Sequence, residues 1–345
     1  MATFTSGSPA ARIAKLKGDI LKHAVPVEVL GITGQQRAMP KNQSKTIVHR
    51  RYLPYGAAAT NFNTINRPVA TAAGHELTEG VTPTADSLTP QDITVTLKQY
   101  GALYELTDVV ADTYEDDVPD EMKKQCGERI GLVREMVRYG VLKACTNVFY
   151  AGGGSTRASV NTKITLNLLR KISRNLQANH AKRITGILDA SPNIATKPVD
   201  AAYLVFVHTD AEADIRDLPG FKHVSEYGNR KVVSPYEIGS VENFRFITSP
   251  ELAPYAAAGA LIGATGMTGT TNIDVYPFIM VGEDAWGQLA LRGMDVIEPT
   301  YIPPGQKDKS DPLGQRGYVG AKFYMACTML NEGWMAVAEA GVTAL

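Results

Sequence analysis

Pro119–Tyr150 reads PDEMKKQCGERIGLVREMVRYGVLKACTNVFY, and within it Ile130, Val133, Val137, Val141, Ala144 and Val148 recur at spacings of three and four residues. That is the period of one buried face of an α-helix. Pro119 suits a first helical turn, where a missing N–H is no loss, and Asp120 and Glu121 beside it favour the positive end of the helix dipole. Gly152-Gly153-Gly154 supplies a terminator. About 30 residues at 1.5 Å each predict one helix of about 45 Å.

Working back toward the N-terminus, TIVHRRYLPY (Thr46–Tyr55) has the β-branched and aromatic residues of a strand, interrupted by Pro54. In Asp92–Leu97, Ile93, Val95 and Leu97 alternate with Thr94 and Thr96, giving one apolar and one polar face. Between these strands, Ala57–Thr89 is rich in Ala, Thr, Asn, Gly and Pro. A loop of this length is usually functional, so the three pieces predict a long β-hairpin whose tip reaches another chain. Residues 1 to 45 are polar, with a helical pattern only at Ile13–Ala24, and read as an extended arm.

Working forward, TLNLLRKISRNLQANH (residues 165 to 180) predicts a second amphipathic helix and Ala202–Val207 a buried strand. A helix at Ala211–Leu218 follows, then strands at Asn243–Thr248, Ile273–Val281, Gly314–Leu330 and Trp334–Glu339. Strands and helices interleave without a βαβ rhythm or an internal repeat. The fold class is therefore α+β, neither a barrel nor a doubly wound sheet.

Composition narrows the function. Lys and Arg balance Asp and Glu to a net charge of zero, so no overall basic field attracts nucleic acid or an anionic membrane. Cys126, Cys145 and Cys327 form no C-x-x-C pair and their odd number argues for reduced thiols. On one helix, Cys126 and Cys145 would stand about 28 Å apart, beyond disulfide reach. No apolar run approaches the 20 or so residues that span a bilayer, and the first 20 residues lack a secretory apolar core.

Three motifs carry chemistry if their context allows it. Gly263, Gly266 and Gly269 of GATGMTG resemble a phosphate-cradling loop, but they lack G-x-G-x-x-G spacing and precede a strand-like TTNIDVYPFIMV, so a surface loop accounts for them better. His208, Asp210, Glu212 and Asp214 would share one side of a strand and could hold a hard cation. With Thr209 or Asp210 capping a helix they spread around its axis instead. Glu115, Asp116, Asp117, Asp120 and Glu121 read as a solvated helix start. The six histidines form no H-x-x-x-H or H-E-x-x-H pattern, and no G-x-S-x-G elbow is present. We expect no catalytic residue, cofactor or metal, and a protein that is not an enzyme.

The order of elements (arm, long hairpin, long helix, mixed α+β domain) resembles that of tailed-phage major capsid proteins of the Hong Kong ninety-seven type, most closely the N-four-like podophage branch. Glu79, Gly80 and Pro83 of EGVTP, then DITVTLKQYG (Asp92–Gly101) and Leu106-Thr107-Asp108, resemble the return strand of that family's extended loop and the entry to its spine helix. VFVHTDAEADIRDLPGF, IGSVENFRFITSPEL, YPFIMVGEDAWG and GYVGAKFYMACTMLNEGWMAVAEAG resemble its axial domain and closing strands.

The resemblance implies an N-terminal arm at 1–45, an extended loop at 46–100, a peripheral domain with spine helix at 101–165 and an axial domain at 166–312. Peripheral return strands at 313–332 and a C-terminal axial strand at 333–345 complete it. It further implies subunit contacts at Glu79, Gly80, Pro83, Tyr100 and Gly101. The shell would be built of hexamers and pentamers of the chain itself, in the host cytoplasm, and would enclose double-stranded DNA without sequence-specific binding. Scaffold, portal and decoration proteins are its expected further partners; a membrane is not. No motif marks a cross-link. The alternatives are the shell subunit of an encapsulating compartment of related fold, or a soluble α+β enzyme built on residues 166 to 345.

Overall fold

The computed structural model describes residues 26–39, 44–55, 70–83, 85–113, 118–184, 201–228, 232–263, 266–291, 297–307, 309 and 311–345. In chain order these form β1 (Gln35–Met39), β2 (Thr46–Tyr52), β3 (Pro90–Thr96), β4 (Lys98–Thr107), α1 (Asp108–Thr113) and α2 (Val118–Leu142). Next come β5 (Val148–Tyr150), α3 (Leu166–Ala178), β6 (Tyr203–Val207), α4 (Glu212–Arg216), β7 (Lys222–His223), β8 (Glu237–Val241) and β9 (Phe244–Thr248). The chain closes with β10 (Tyr276–Val281), β11 (Trp286–Leu291), β12 (Ile297–Ile302), β13 (Arg316–Met329) and β14 (Met335–Ala340). The fold is α+β, and the helical pattern at Ile13–Ala24 lies outside the described residues.

Two larger sheets divide the molecule. The first is organised by β13, whose length lets it pair antiparallel with β4 over Arg316–Met325, with β12 over Tyr318–Phe323 and with β11 over Met325–Met329. Strand β1 adds to β11 in parallel. Helix α2 packs on this sheet: Cys126 and Ile130 meet Phe323 and Met325, with Tyr100, Ala102, Tyr104, Val133 and Val137 around them. The second sheet runs β5-β14-β10-β6-β9-β8-β7. Its β6, β10 and β14 are buried at every residue. Alternation divides them between two cores: Tyr203, Val205, Phe278 and Ala338 face α3, whereas Leu204, Phe206, Ile279 and Val337 face Leu30, Tyr139, Leu142 and Trp286. Burial on both faces explains why these strands read as continuous apolar runs.

The long helix is shorter than its sequence period suggests. It ends at Leu142, about 38 Å at 1.5 Å per residue, and Val148 belongs to β5. The reason lies at Asn147, whose Nδ2 donates to Met335 O at 2.8 Å and Asn175 Oδ1 at 3.0 Å, while its carbonyl accepts from Val337 N at 3.0 Å. These bonds turn the chain into a parallel pairing with β14, a good use for the β-branched and aromatic VFY. Gly152–Gly154 therefore does not terminate the helix. The valine stripe is also corrected: Val133, Val137 and Val141 are half-buried and Ala144 is exposed, while the buried face holds Cys126, Ile130, Glu135, Arg138, Tyr139 and Leu142.

Elsewhere the boundaries shift by small amounts. β2 stops at Tyr52, short of Pro54, and β10 begins at Tyr276 rather than Ile273. Ala211–Leu218 resolves into a 3-10 turn followed by α4. Among the elements without an expectation from the sequence are β1, α1, β7, β8, β11 and β12.

Candidate subunit-interaction surface

Strands β2 and β3 pair antiparallel from Thr46 opposite Thr96 to Tyr52 opposite Pro90, the hairpin expected from the alternation. Its inner face carries Ile47, Ile93 and Val95, which pack with Leu97 against Met39, Leu289 and Ala326. Its outer face carries Val48, Arg50, Tyr52, Asp92 and Thr94, all exposed. Arg50 and Asp92 form a two-pronged pair there, Nε to Oδ1 at 2.8 Å and Nη2 to Oδ2 at 2.9 Å. This hydrogen-bonded guanidinium holds the Asp92 carboxyl below its ordinary range.

Beyond the strands, every described residue from Ala70 to Thr89 is exposed. Leu77, Val81 and Leu88 are 71%, 64% and 79% exposed, although each would gain about 2 kcal/mol if buried. The sequence reading overlooked these because small polar residues surround them. Glu79 and Gly80 form a turn in which Val81 N donates to Thr78 O at 3.1 Å, and the positive φ of Gly80, 78°, explains the glycine. Pro83 follows on the same exposed stretch. Tyr100 and Gly101 lie on β4 instead: the Tyr100 ring stacks on Phe323, centroids 5.6 Å apart, and burial raises its phenol pKa. Gly101 is exposed opposite Lys322, where an added Cβ would stand 3.1 Å from Ala321 O.

A second set of exposed apolar residues absent from the sequence reading comprises Leu103 of β4, Tyr301 and Ile302 of β12, and Leu313; Leu103 and Ile302 share one face of the sheet, whereas Tyr301 lies on the other, under Lys123. Only alternation within β4 and β12 could have revealed it, and β12 was not recognised.

The chemical motifs take structural roles. His208 Nδ1 accepts from Asp210 N at 3.1 Å, so His208, not Thr209 or Asp210, caps the turn. Asp210 accepts from Tyr276 Oη at 2.9 Å, and Asp214 accepts from Lys163 Nζ at 3.1 Å and from Thr343 N and Oγ1 at 2.8 and 2.7 Å. Among the described residues, no group of three His, Cys, Asp or Glu is arranged to hold a metal. The glycine loop is pinned to the C-terminal tail, Thr268 N donating to Val342 O and Ala344 N to Gly266 O. Of the acidic cluster, residues 115–117 lie outside the described residues, while Asp120 and Glu121 pair with Lys123 and Lys124. The cysteines are unpaired, with Cys145 just beyond α2. No described helix is long and apolar enough to cross a membrane.

Among solved structures, the chain is similar to the capsid of Ralstonia phage GP4, with a TM-score of 0.64 at 8% identity over 99% of each chain. It is also similar to the cyanophage Pam1 capsid asymmetric unit (TM-score 0.61, 13% identity, 100% of each chain). The capsid structure of cyanophage P-SCSP1u gives a TM-score of 0.61 at 11% identity over 96% of this chain and 94% of that one. The fold is that of phage capsid proteins. No family model matches the chain. A major capsid protein of Pseudomonas phage KPP21 is 23% identical over 339 residues, covering 87% of this chain and 85% of that protein. Fold and sequence together make the chain a shell subunit of a tailed-phage capsid, a structural protein of the virion and not an enzyme.

Proposed function

We propose that the subunit is of the Hong Kong ninety-seven type, in the N-four-like branch. It assembles into hexamers and pentamers of an icosahedral head enclosing double-stranded DNA. Assembly takes place in the host cytoplasm with scaffold, portal and decoration proteins as partners. The observation that carries this reading is the hairpin with its fully exposed stretch from Ala70 to Thr89, whose Leu77, Val81 and Leu88 find no burial in the described subunit. A neighbouring copy would bury them, and repetition by symmetry would turn many modest contacts into a durable shell. Glu79, Gly80 and Pro83 belong to that contact, with Tyr100 and Gly101 at the foot of the hairpin. Of the arm proposed at 1–45, Val29, Leu30 and β1 pack within the subunit itself, so further contacts with neighbours are assigned to the rest of it.

The peripheral domain then corresponds to the five-stranded sheet with α2, and the axial domain to the seven-stranded sheet. Drawn on the sheets, the peripheral share also takes in β1, β11 and β12. The net charge of zero suits a wall that holds DNA without gripping it.

Replacing residues 70 to 88 by a short Gly-Ser linker tests the reading. The variant should keep the circular dichroism and unfolding midpoint of the parent yet fail to form shells in electron micrographs. Closed shells from the variant would refute the loop's role.

A further inference from the structure

The inner face of the hairpin is not uniformly apolar. Between Ile47 and Arg51 it carries His49, 8% exposed, opposite Ile93. Arg37 of β1 stands beside it, Nη1 to His49 Nδ1 at 3.2 Å. A guanidinium is always a donor, so Nδ1 is the acceptor and the imidazole proton sits on Nε2. Nε2 is buried and has no hydrogen-bond partner among the described residues. The imidazole is thus held neutral in a seat with no site for a second ring proton.

The surroundings are equally one-sided. Arg37 faces His49 from β1, and Arg51 lies two residues along its own strand, donating to Leu330 O. From β3 come Ile93 and Gln91; β11 and β13 bring Leu289, Leu291 and Ala326. Both charged groups in this set are cations. Arg50 and Asp92 pair with each other on the opposite face of the hairpin. A proton on His49 would create a buried cation beside Arg37, with no carboxylate against the ring among the described residues, and swinging the hairpin off the body relieves it.

We infer that His49 is an acid-sensitive latch: neutral, it lets the β2–β3 hairpin seat on its own subunit, and protonated, it releases the hairpin. Burial, then the charge of Arg37, lowers the His49 pKa from its ordinary value of 6.5. Because the released state binds the proton more readily, seating is fully favoured above about pH 6.5. Below that value the released fraction grows about tenfold per pH unit, until the lower pKa of the seated form is reached.

Met39 reports on the seat, since it is 2% exposed and lies under the hairpin. Hydroxyl-radical footprinting of the full chain between pH 8 and about 4.5 measures its oxidation, with exposed Met136 as the internal standard and fully buried Met335 as the monitor of global unfolding. We expect Met39 oxidation to rise below about pH 6.5 while Met335 stays protected. The rise should vanish in His49→Gln. In Arg37→Gln, which leaves the histidine in place and relieves the charge opposing its protonation, the rise should be smaller and level off at a higher pH. A Met39 signal that is flat in the parent, rises together with Met335, or is unchanged by Arg37→Gln overturns the latch.

Discussion

Glu135 is fully buried on α2, and its Oε1 accepts from Val29 N at 2.9 Å and Leu30 N at 2.8 Å. Its Oε2 accepts from Arg138 Nη1 at 3.3 Å, and Arg138 reaches on to Glu28 at 3.2 Å and Gln288 at 3.0 Å. One carboxylate thus ties the N-terminal segment, the helix and β11 together. Replacing Glu135 by Ala strands two backbone donors and leaves the buried Arg138 guanidinium with Glu28 as its one carboxylate partner among the described residues, and should cost about 3–5 kcal/mol. Glu135→Gln keeps the backbone acceptor and should cost less, as urea unfolding would measure. A second residue-scale prediction concerns the thiols, since burial pushes Cys145 and Cys327 each up to about 12. Their folded pKa lies above the unfolded one, so the stability this carries is full below about pH 8.5 and is lost as pH rises toward the folded value. Cys145, which is buried, should not react with a thiol reagent at pH 8 until the protein is denatured, whereas half-buried Cys327 should react slowly; rapid reaction of Cys145 in the native protein would contradict its burial.

Among the elements, the switch from α2 to β5 hangs on Asn147 rather than on the glycines after it. Asn147→Ala removes two side-chain hydrogen bonds and should destabilise the protein by about 1–3 kcal/mol, read as a lower urea midpoint. Thr165 caps α3 by accepting from Leu168 N, and Thr165→Ala should lower stability by about 1 kcal/mol. These elements also mark what the sequence made legible. The period-two run at Asp92–Leu97 and the strong amphipathic pattern at 165 to 180 stated their element types directly, because one face of each is buried and the other wet. The helical period carried on past Leu142 because Ala144 and Val148 continue its spacing, and the forces that end it come from Asn175 and Met335, distant in sequence. The buried face of α2 was hidden for a related reason: nothing in the local spacing marks Glu135 and Arg138 as buried, because their partners come from Val29, Leu30 and Gln288.

For the whole molecule, the two sheets account for where the chain is rigid and what it leaves available. The seven-stranded sheet is covered on both faces by the chain's own residues, and α2 with β13 covers one face of the other. Among the described residues, exposed large apolar side chains include Val48, Tyr52, Leu77, Val81 and Leu88 on the hairpin and the stretch that follows it, with others such as Leu103, Leu261, Tyr301 and Leu313 elsewhere on the surface. Of the candidate contact residues named from sequence, Glu79, Gly80 and Pro83 fall in the first group, whereas Tyr100 spends its ring on Phe323 within the subunit. A subunit with exposed apolar residues on a projecting hairpin and its loop is suited to burying them against copies of itself. Negative-stain electron microscopy of the purified chain, with its sedimentation profile, tests this most directly. Closed particles, tubes, or isolated hexamers and pentamers are the predicted result; a uniform small species that stays small at high concentration and with scaffold protein present would contradict it.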